Sequence, residues 1–253
     1  MVSMRRARMW PLALVLAALH AGTAASAELK IFGSRVTRMM IDDLGERFER
    51  DTGFKPVVVT DVAAVMKRRI ETGEPFDLAI LVNFQTDALV ASGKLLADSR
   101  ADIMKAGIGV AVKRGAQKPD ISTVAAFKAT LLAAKSVTYL KEGASTIHLN
   151  KVFAELGIAD AVRAKAVLPA TESVSEKVAD GEVELGIIVI PNILSVPGAE
   201  LVGPIPEAVN KYIVFTAGVS PASPNQAAAR ALIRLLTSPD GVRAIKQKGM
   251  EPG

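Results

Sequence analysis

The 253-residue sequence contains no cysteine. Disulfides, thiol nucleophiles and thiolate metal sites are therefore excluded. The one tryptophan, Trp10, and one of the two histidines, His20, fall within the first 27 residues, so His148 is the only histidine after them. A histidine alone in a helical pattern, with no cysteine and no second histidine, reads as a packed or surface side chain and not as a metal ligand. No Gly-x-x-x-x-Gly-Lys-Ser/Thr loop is present, which excludes that route to nucleotide phosphates. No Ser-His-Asp set, thiol nucleophile or metal cluster is apparent either. Beyond residue 27 no apolar run is long enough to span a bilayer; residues 185–190 make only a short buried-strand pattern. An excess of one charge is also missing. The first 27 residues hold three of the 31 Lys and Arg and none of the 26 Asp and Glu, so 28 bases face 26 acids in the remainder, a net charge of +2. That balance carries no nucleic-acid footprint.

What is present begins with a leader. Arg5, Arg6 and Arg8 precede an apolar stretch at residues 10–19, and Ala25-Ser26-Ala27 supplies the small-residue pattern of a signal-peptidase site. The stretch is short for a membrane span, so residues 1–27 read as a cleaved signal, the mature chain begins at Glu28, and the periplasm is its expected location. Residues 29–32 then form a strand that delivers Gly33-Ser34 to a helix. Free backbone N–H groups and the helix dipole make such a junction an anion seat. An exported chain that opens this way points to a solute receptor.

Removing 27 residues from 253 leaves 226, which suits one large domain or two small lobes. Half of the residues are hydrophobic, and the eight phenylalanines are dispersed as core positions. Strand and helix patterns alternate, predicting an α/β fold with mostly parallel sheets. Strands are expected at 29–32, 56–59, 76–82, 107–112, 136–139, 185–190 and 212–219. Helices are expected at 37–52, 62–72, 87–92, 124–134, 146–156 and 225–237, with a short one after Pro239. Thr86 is expected to cap the third helix, Ser122 or Thr123 the fourth, and Ser173 with Glu176 has capping-box spacing. Residues 162–167 read as a passage from helix to strand, residues 196–206 as a Pro/Gly-rich loop, and Lys113 to Lys118 as a basic loop surface. The strands at 107–112 and 212–219 bracket a central block. Two lobes follow, 28–107 plus 212–253 and 108–211, joined by two crossing strands with a cleft between them. Ligands in such folds sit at the carboxyl ends of strands and at helix N-termini.

The order of several weak motifs adds to this reading. They are Phe32-Gly33-Ser34, Ile70-Glu71-Thr72-Gly73-Glu74-Pro75-Phe76-Asp77, the loop at 115–123, Gly143-Ala144-Ser145, the segment from Val178 to Gly186, and the segment from Leu235 to Val242. Together they resemble the periplasmic substrate-binding proteins of ABC importers, in the two-lobed class that includes the molybdate binders. The resemblance implies a cleft that holds a small anion with neutral donors. Ser34 matches the family's first serine. The second serine falls at Ala63, a backbone N–H contact near Ser145, another near Thr171, and the family's tyrosine at Val189. Two of the three hydroxyl donors are thus replaced, and Asp61 and Glu172 place carboxylates nearby, which disfavours a bound dianion electrostatically. A small organic acid held by Ser34, Ser145 and either Arg35 or Arg68 is the alternative to a molybdate-like oxyanion, since arginine suits a carboxylate through a planar paired contact. The expected protein is a monomeric binding component that takes a small anionic ligand and hands it to an ABC permease, with no cofactor, no metal and no catalytic residues. An exported enzyme using Asp61 or Glu172 as a base, and a ligand sensor, are the other readings.

Overall fold

The computed structural model describes residues 26–171 and 173–253; the leader expected at 1–27 therefore lies almost wholly outside them. Strand β1 (Ala27–Gly33) pairs in parallel with β2 (Phe54–Thr60) along its whole length, from Ala27 opposite Phe54 to Gly33 opposite Thr60. This register sets the carboxyl ends of both strands side by side. Helices α1 (Arg35–Thr52) and α2 (Ala63–Glu71) consequently begin next to each other. Helix α1 is amphipathic, burying Val36, Met40, Ile41, Leu44 and Phe48. Gly53 ends it in the left-handed conformation at φ 73°, where glycine carries no Cβ penalty. Strand β3 (Leu78–Val82) runs parallel to β1 and feeds α3 (Asn83–Ala91).

After β4 (Ala101–Ala106) the chain crosses at Gly107 into β5 (Ile108–Lys113), which belongs to a second sheet. That sheet contains β6 (Val137–Thr138), β7 (Ala166–Val167), β8 (Leu185–Val189) and β9 (Ala199–Pro204) in the order β7-β6-β8-β5-β9. It is covered by α4 (Val124–Ala133), α5 (Ala144–Glu155), α6 (Ala159–Arg163), α7 (Val174–Asp180) and α8 (Ile190–Leu194). The chain returns through residues 205–212 into β10 (Ile213–Val219), then α9 (Gln226–Thr237), α10 (Pro239–Gln247) and β11 (Glu251–Pro252). The first sheet is ordered β11-β4-β10-β3-β1-β2. Asn210 ties the two passages together: its Oδ1 accepts from the Ile108 N–H at 3.2 Å and its Nδ2 donates to the Ile205 carbonyl at 3.3 Å.

The result is the expected two-lobed α/β fold. Parallel pairing joins β2, β1 and β3 in one lobe and β7, β6 and β8 in the other. The crossing strands β5 and β10 pair antiparallel with their neighbours and make both sheets mixed.

Three local expectations are corrected. Residues 199–204, inside the expected loop, form edge strand β9, whose register shifts where it meets β5; an edge position tolerates its Gly203-Pro204. Helix α3 begins at Asn83, not after Thr86, and Thr86 is a buried helical residue whose hydroxyl donates to the Thr216 carbonyl at 3.1 Å. The Ser173 to Glu176 spacing forms no capping box, because the Glu176 carboxylate turns to Arg35 of the other lobe at 2.5 Å. Thr123 does cap α4, accepting from the Ala126 N–H at 3.1 Å.

Candidate functional site

Carboxyl ends of strands from both lobes meet at a small inner cavity of about 50 Å³ that is partly open to solvent. Ser34, the N-cap of α1, lines it, and so do Val62, Val82 and Gly143, the N-caps of α2, α3 and α5. The positive ends of four helices of nine or more residues therefore converge on one space, three from the first lobe and one from the second, beside Val189 at the start of the short α8. The first-turn N–H groups of a helix have no partner within it, and their dipoles favour an anion. Gly33 permits the close turn before α1: a Cβ there would lie 2.6 Å from the Thr37 side chain.

Two buried polar side chains in the wall lack partners. The hydroxyl of Ser34, 6% exposed, makes no hydrogen bond, and neither does Oδ1 of Asn192, 2% exposed. Ser34 is the N-cap of α1 in a capping-box arrangement with Thr37, whose hydroxyl accepts from the Ser34 N–H at 3.4 Å, but the Ser34 hydroxyl itself completes no cap hydrogen bond. Buried polar atoms are nearly always paired in folded proteins, so these two point to a ligand. A half-turn of the Asn192 amide presents its N–H₂ in place of the oxygen. Val36, Ile188, Ile213 and Phe215 complete an apolar wall, which lowers the local dielectric and strengthens any charge-assisted bond made there.

The predicted residues divide into two groups. Ser34, Ala63, Ser145 and Val189 all line the inner cavity. Arg35, Asp61 and Thr171 line an adjoining outer groove of about 530 Å³, together with Arg38, Thr60 and Ser195. The two spaces are neighbours through consecutive residues, Ser34–Arg35 and Asp61–Val62. In the groove the charged groups have protein partners. Arg35 bridges to Glu176 across the lobes, Arg38 donates to the Val58 carbonyl, and Asp61 accepts from the Val62 N–H at 2.7 Å. Glu172 lies outside the described residues. Arg68 reaches across the cleft to Glu142 at 3.5 Å. His148 bonds the Val209 carbonyl at 2.7 Å through Nε2, a packed side chain as expected. Among the described residues no group of His, Asp and Glu has a metal-binding arrangement.

Sequence reasoning missed Asn192 and Glu142. Both had a signal: Asn192 follows the end of the apolar strand 185–190 by two residues, and Glu142 directly precedes Gly143-Ala144-Ser145.

The family model of bacterial extracellular solute-binding proteins matches residues 29–251. The chain belongs to that family. Among solved structures, the periplasmic molybdate-binding protein of Azotobacter vinelandii superposes with a TM-score of 0.76 at 18% identity, covering 89% of this solute-binding protein and 99% of that chain. The sulfate-binding protein SubI of Mycobacterium tuberculosis gives 0.73 at 14% identity over 89% and 87%. These likenesses establish the fold. A relative of a different kind is the aconitate isomerase of a Pseudomonas species, 35% identical over 218 residues, 84% of this chain and 83% of the relative. The expectation of a protein without enzymatic activity is corrected by this finding: a relative that is similar over most of both chains is an enzyme. The absence of nucleophile and metal motifs excludes certain reactions, and a proton shift needs neither.

Proposed function

We propose that this solute-binding protein takes a small polycarboxylate of the aconitate type into the cleft and isomerises it. The observation that supports this reading is the convergence of four helix N-termini on a cavity whose Ser34 hydroxyl and Asn192 Oδ1 have no protein partner. Liquid water occupies roughly 30 Å³ per molecule, so a cavity of about 50 Å³ accommodates a single carboxylate group. One carboxylate of the ligand sits there on Ser34, Asn192 and the N–H groups near Ala63 and Ser145. The rest of the molecule reaches the adjoining groove, where a second carboxylate competes with Glu176 for Arg35. Contacts from both lobes hold the closed form, with bending at the passages that Asn210 joins. Isomerisation of an alkene tricarboxylate through an allylic proton shift fits the relative's activity and requires no metal or nucleophile.

A second reading rests on the family: the chain is a periplasmic receptor that hands the same acid, unchanged, to an ABC permease. Both readings use the same cleft. Purified protein incubated with trans-aconitate separates them. Appearance of the cis isomer by proton NMR, with saturation in substrate, supports the isomerase. Stoichiometric binding with no turnover, joined to loss of uptake on deletion of the gene, supports transport. A thermal-shift panel of aconitate, other carboxylates, molybdate and sulfate tests the ligand class; a ligand at about 100 times its Kd adds ~2.7 kcal/mol of stability. A shift with molybdate alone overturns the polycarboxylate assignment.

A further inference from the structure

An allylic proton shift needs one group that takes a proton from carbon and returns it two carbons away. We propose that Glu142 is that group, an inference that rests on the isomerase reading. Glu142 is the only titratable side chain among the described residues that line the inner cavity. It stands beside Gly143 at the start of α5, so a carboxylate bound on the helix N-termini places its neighbouring carbon next to this side chain. Arg68 approaches it from the opposite lobe at 3.5 Å and so positions it only when the lobes are together. The other described acids of the cleft do not line this cavity: Asp61 lies in the outer groove with Oδ1 on the Val62 N–H, and Glu176, whose Oε1 is held by Arg35 at 2.5 Å while its Oε2 is buried without a partner, stands outside the lining.

The step balances without a co-reactant. An oxygen of Glu142 takes a proton from the substrate methylene and the C–H bond breaks. The electron pair spreads over the adjacent alkene and into the flanking carboxylate, whose growing charge faces the four helix N-termini. The protonated Glu142 then returns the proton to the far carbon of the allyl unit. The double bond moves by one position, and rotation before reprotonation exchanges the geometric isomers. Nothing is oxidised or reduced.

The test compares the whole purified protein with its Glu142→Gln and Glu142→Asp variants, measuring isomerisation of trans-aconitate, exchange of its allylic hydrogen in D₂O, and binding by calorimetry. Loss of a general base costs about 10²–10⁴-fold in rate. Glu142→Gln is expected to lose isomerisation and exchange to that extent while binding changes only a few-fold, and Glu142→Asp to recover part of both rates. Half-exposure of the side chain keeps folding out of the result, and equal melting temperatures check this. A Glu142→Gln variant that isomerises and exchanges like the wild type overturns the assignment of Glu142 and leaves the isomerase reading standing. A wild-type protein that binds the acid but neither isomerises nor exchanges it overturns both.

Discussion

Two cavities at opposite ends of the first lobe make an instructive pair. At the strands' far end from the cleft, a space of about 580 Å³ is lined by Lys30, Glu74, Asp77, Ser223 and Asn225. It is more than ten times the size of the cavity in the cleft and much richer in charge. Yet its polar groups are engaged. Oδ2 of Asp77 accepts from the Lys30 N–H at 2.7 Å, Oδ1 accepts from the hydroxyl of Ser223 and from the Asn225 amide, and Glu74 receives both Arg69 and Lys30. The small cavity has the opposite character: few charges, an apolar wall, and two buried polar atoms with nothing to bond. What distinguishes a ligand site here is unmet hydrogen-bonding capacity, and neither volume nor charge reports it.

The largest effect is expected in the larger cavity, and on stability alone. Asp77→Ala leaves the donors of Lys30, Ser223 and Asn225 facing an empty, buried position, at a cost of roughly 3 kcal/mol. For a domain of this size that is a fall in Tm of ~6–12 °C. Aconitate affinity at 25 °C should be unchanged. A large loss of affinity with an unchanged Tm would reverse the comparison and make the second cavity the site.

Ser34→Ala should show the converse pattern. The hydroxyl has no partner in the free protein, so its removal leaves Tm unchanged or slightly raised. In the complex it donates to a carboxylate, a charge-assisted bond of about 1.5–3 kcal/mol, and calorimetry should find affinity reduced accordingly. Equal losses in Tm and affinity would mean that Ser34 is a structural residue.

Arg35→Gln tests how far the ligand extends out of the cavity. The guanidinium already bridges to Glu176 and both side chains are about one-third exposed, so the net loss on binding a polycarboxylate should be near tenfold, ~1.4 kcal/mol. A monocarboxylate small enough for the inner cavity should bind the variant as it binds the wild type. If both acids weaken alike, the second carboxylate does not reach the groove.

Much of this site was legible because local rules act over a few residues. A strand ending in Gly33-Ser34 and a loop ending in Gly143-Ala144-Ser145 each predict a helix start, and both helix starts face the cavity. The start of α3 was only partly legible: Asn83 is a helix-start residue type whose Oδ1 accepts from the Phe84 N–H at 2.8 Å, but Thr86 three residues on offers a competing cap signal. Strand β9 was hidden because Gly203-Pro204 obeys turn chemistry locally while an edge position beside β5 allows it to pair. The pairs Arg35–Glu176 and Arg68–Glu142 join side chains on different lobes, a juxtaposition that only the tertiary fold creates. The same holds for enzymatic activity: a single base next to a bound carbon has no sequence spacing to recognise.

The smallest effect concerns the ion cluster beneath the first lobe. Hydrogen bonding from Arg69, helped by Lys30 and opposed by partial burial, holds the Glu74 carboxyl at about 2, below its ordinary 4.5. A depressed carboxylate stabilises the fold above its unfolded value, and that contribution disappears as pH falls from 4.5 through about 2. Glu74→Gln should therefore melt below the wild type at pH 6 and converge with it only as the pH falls to about 2 and below, a pH dependence followed by Tm alone. The difference should also shrink in high salt, because these side chains are about one-third exposed and solvent screens them. Aconitate binding at pH 6 should not respond. A charged network can be strongly perturbed in its titration and still have no part in recognition, whereas the neutral Ser34 and Asn192, with no titration to perturb, offer the unmet hydrogen-bonding capacity on which the proposed recognition rests.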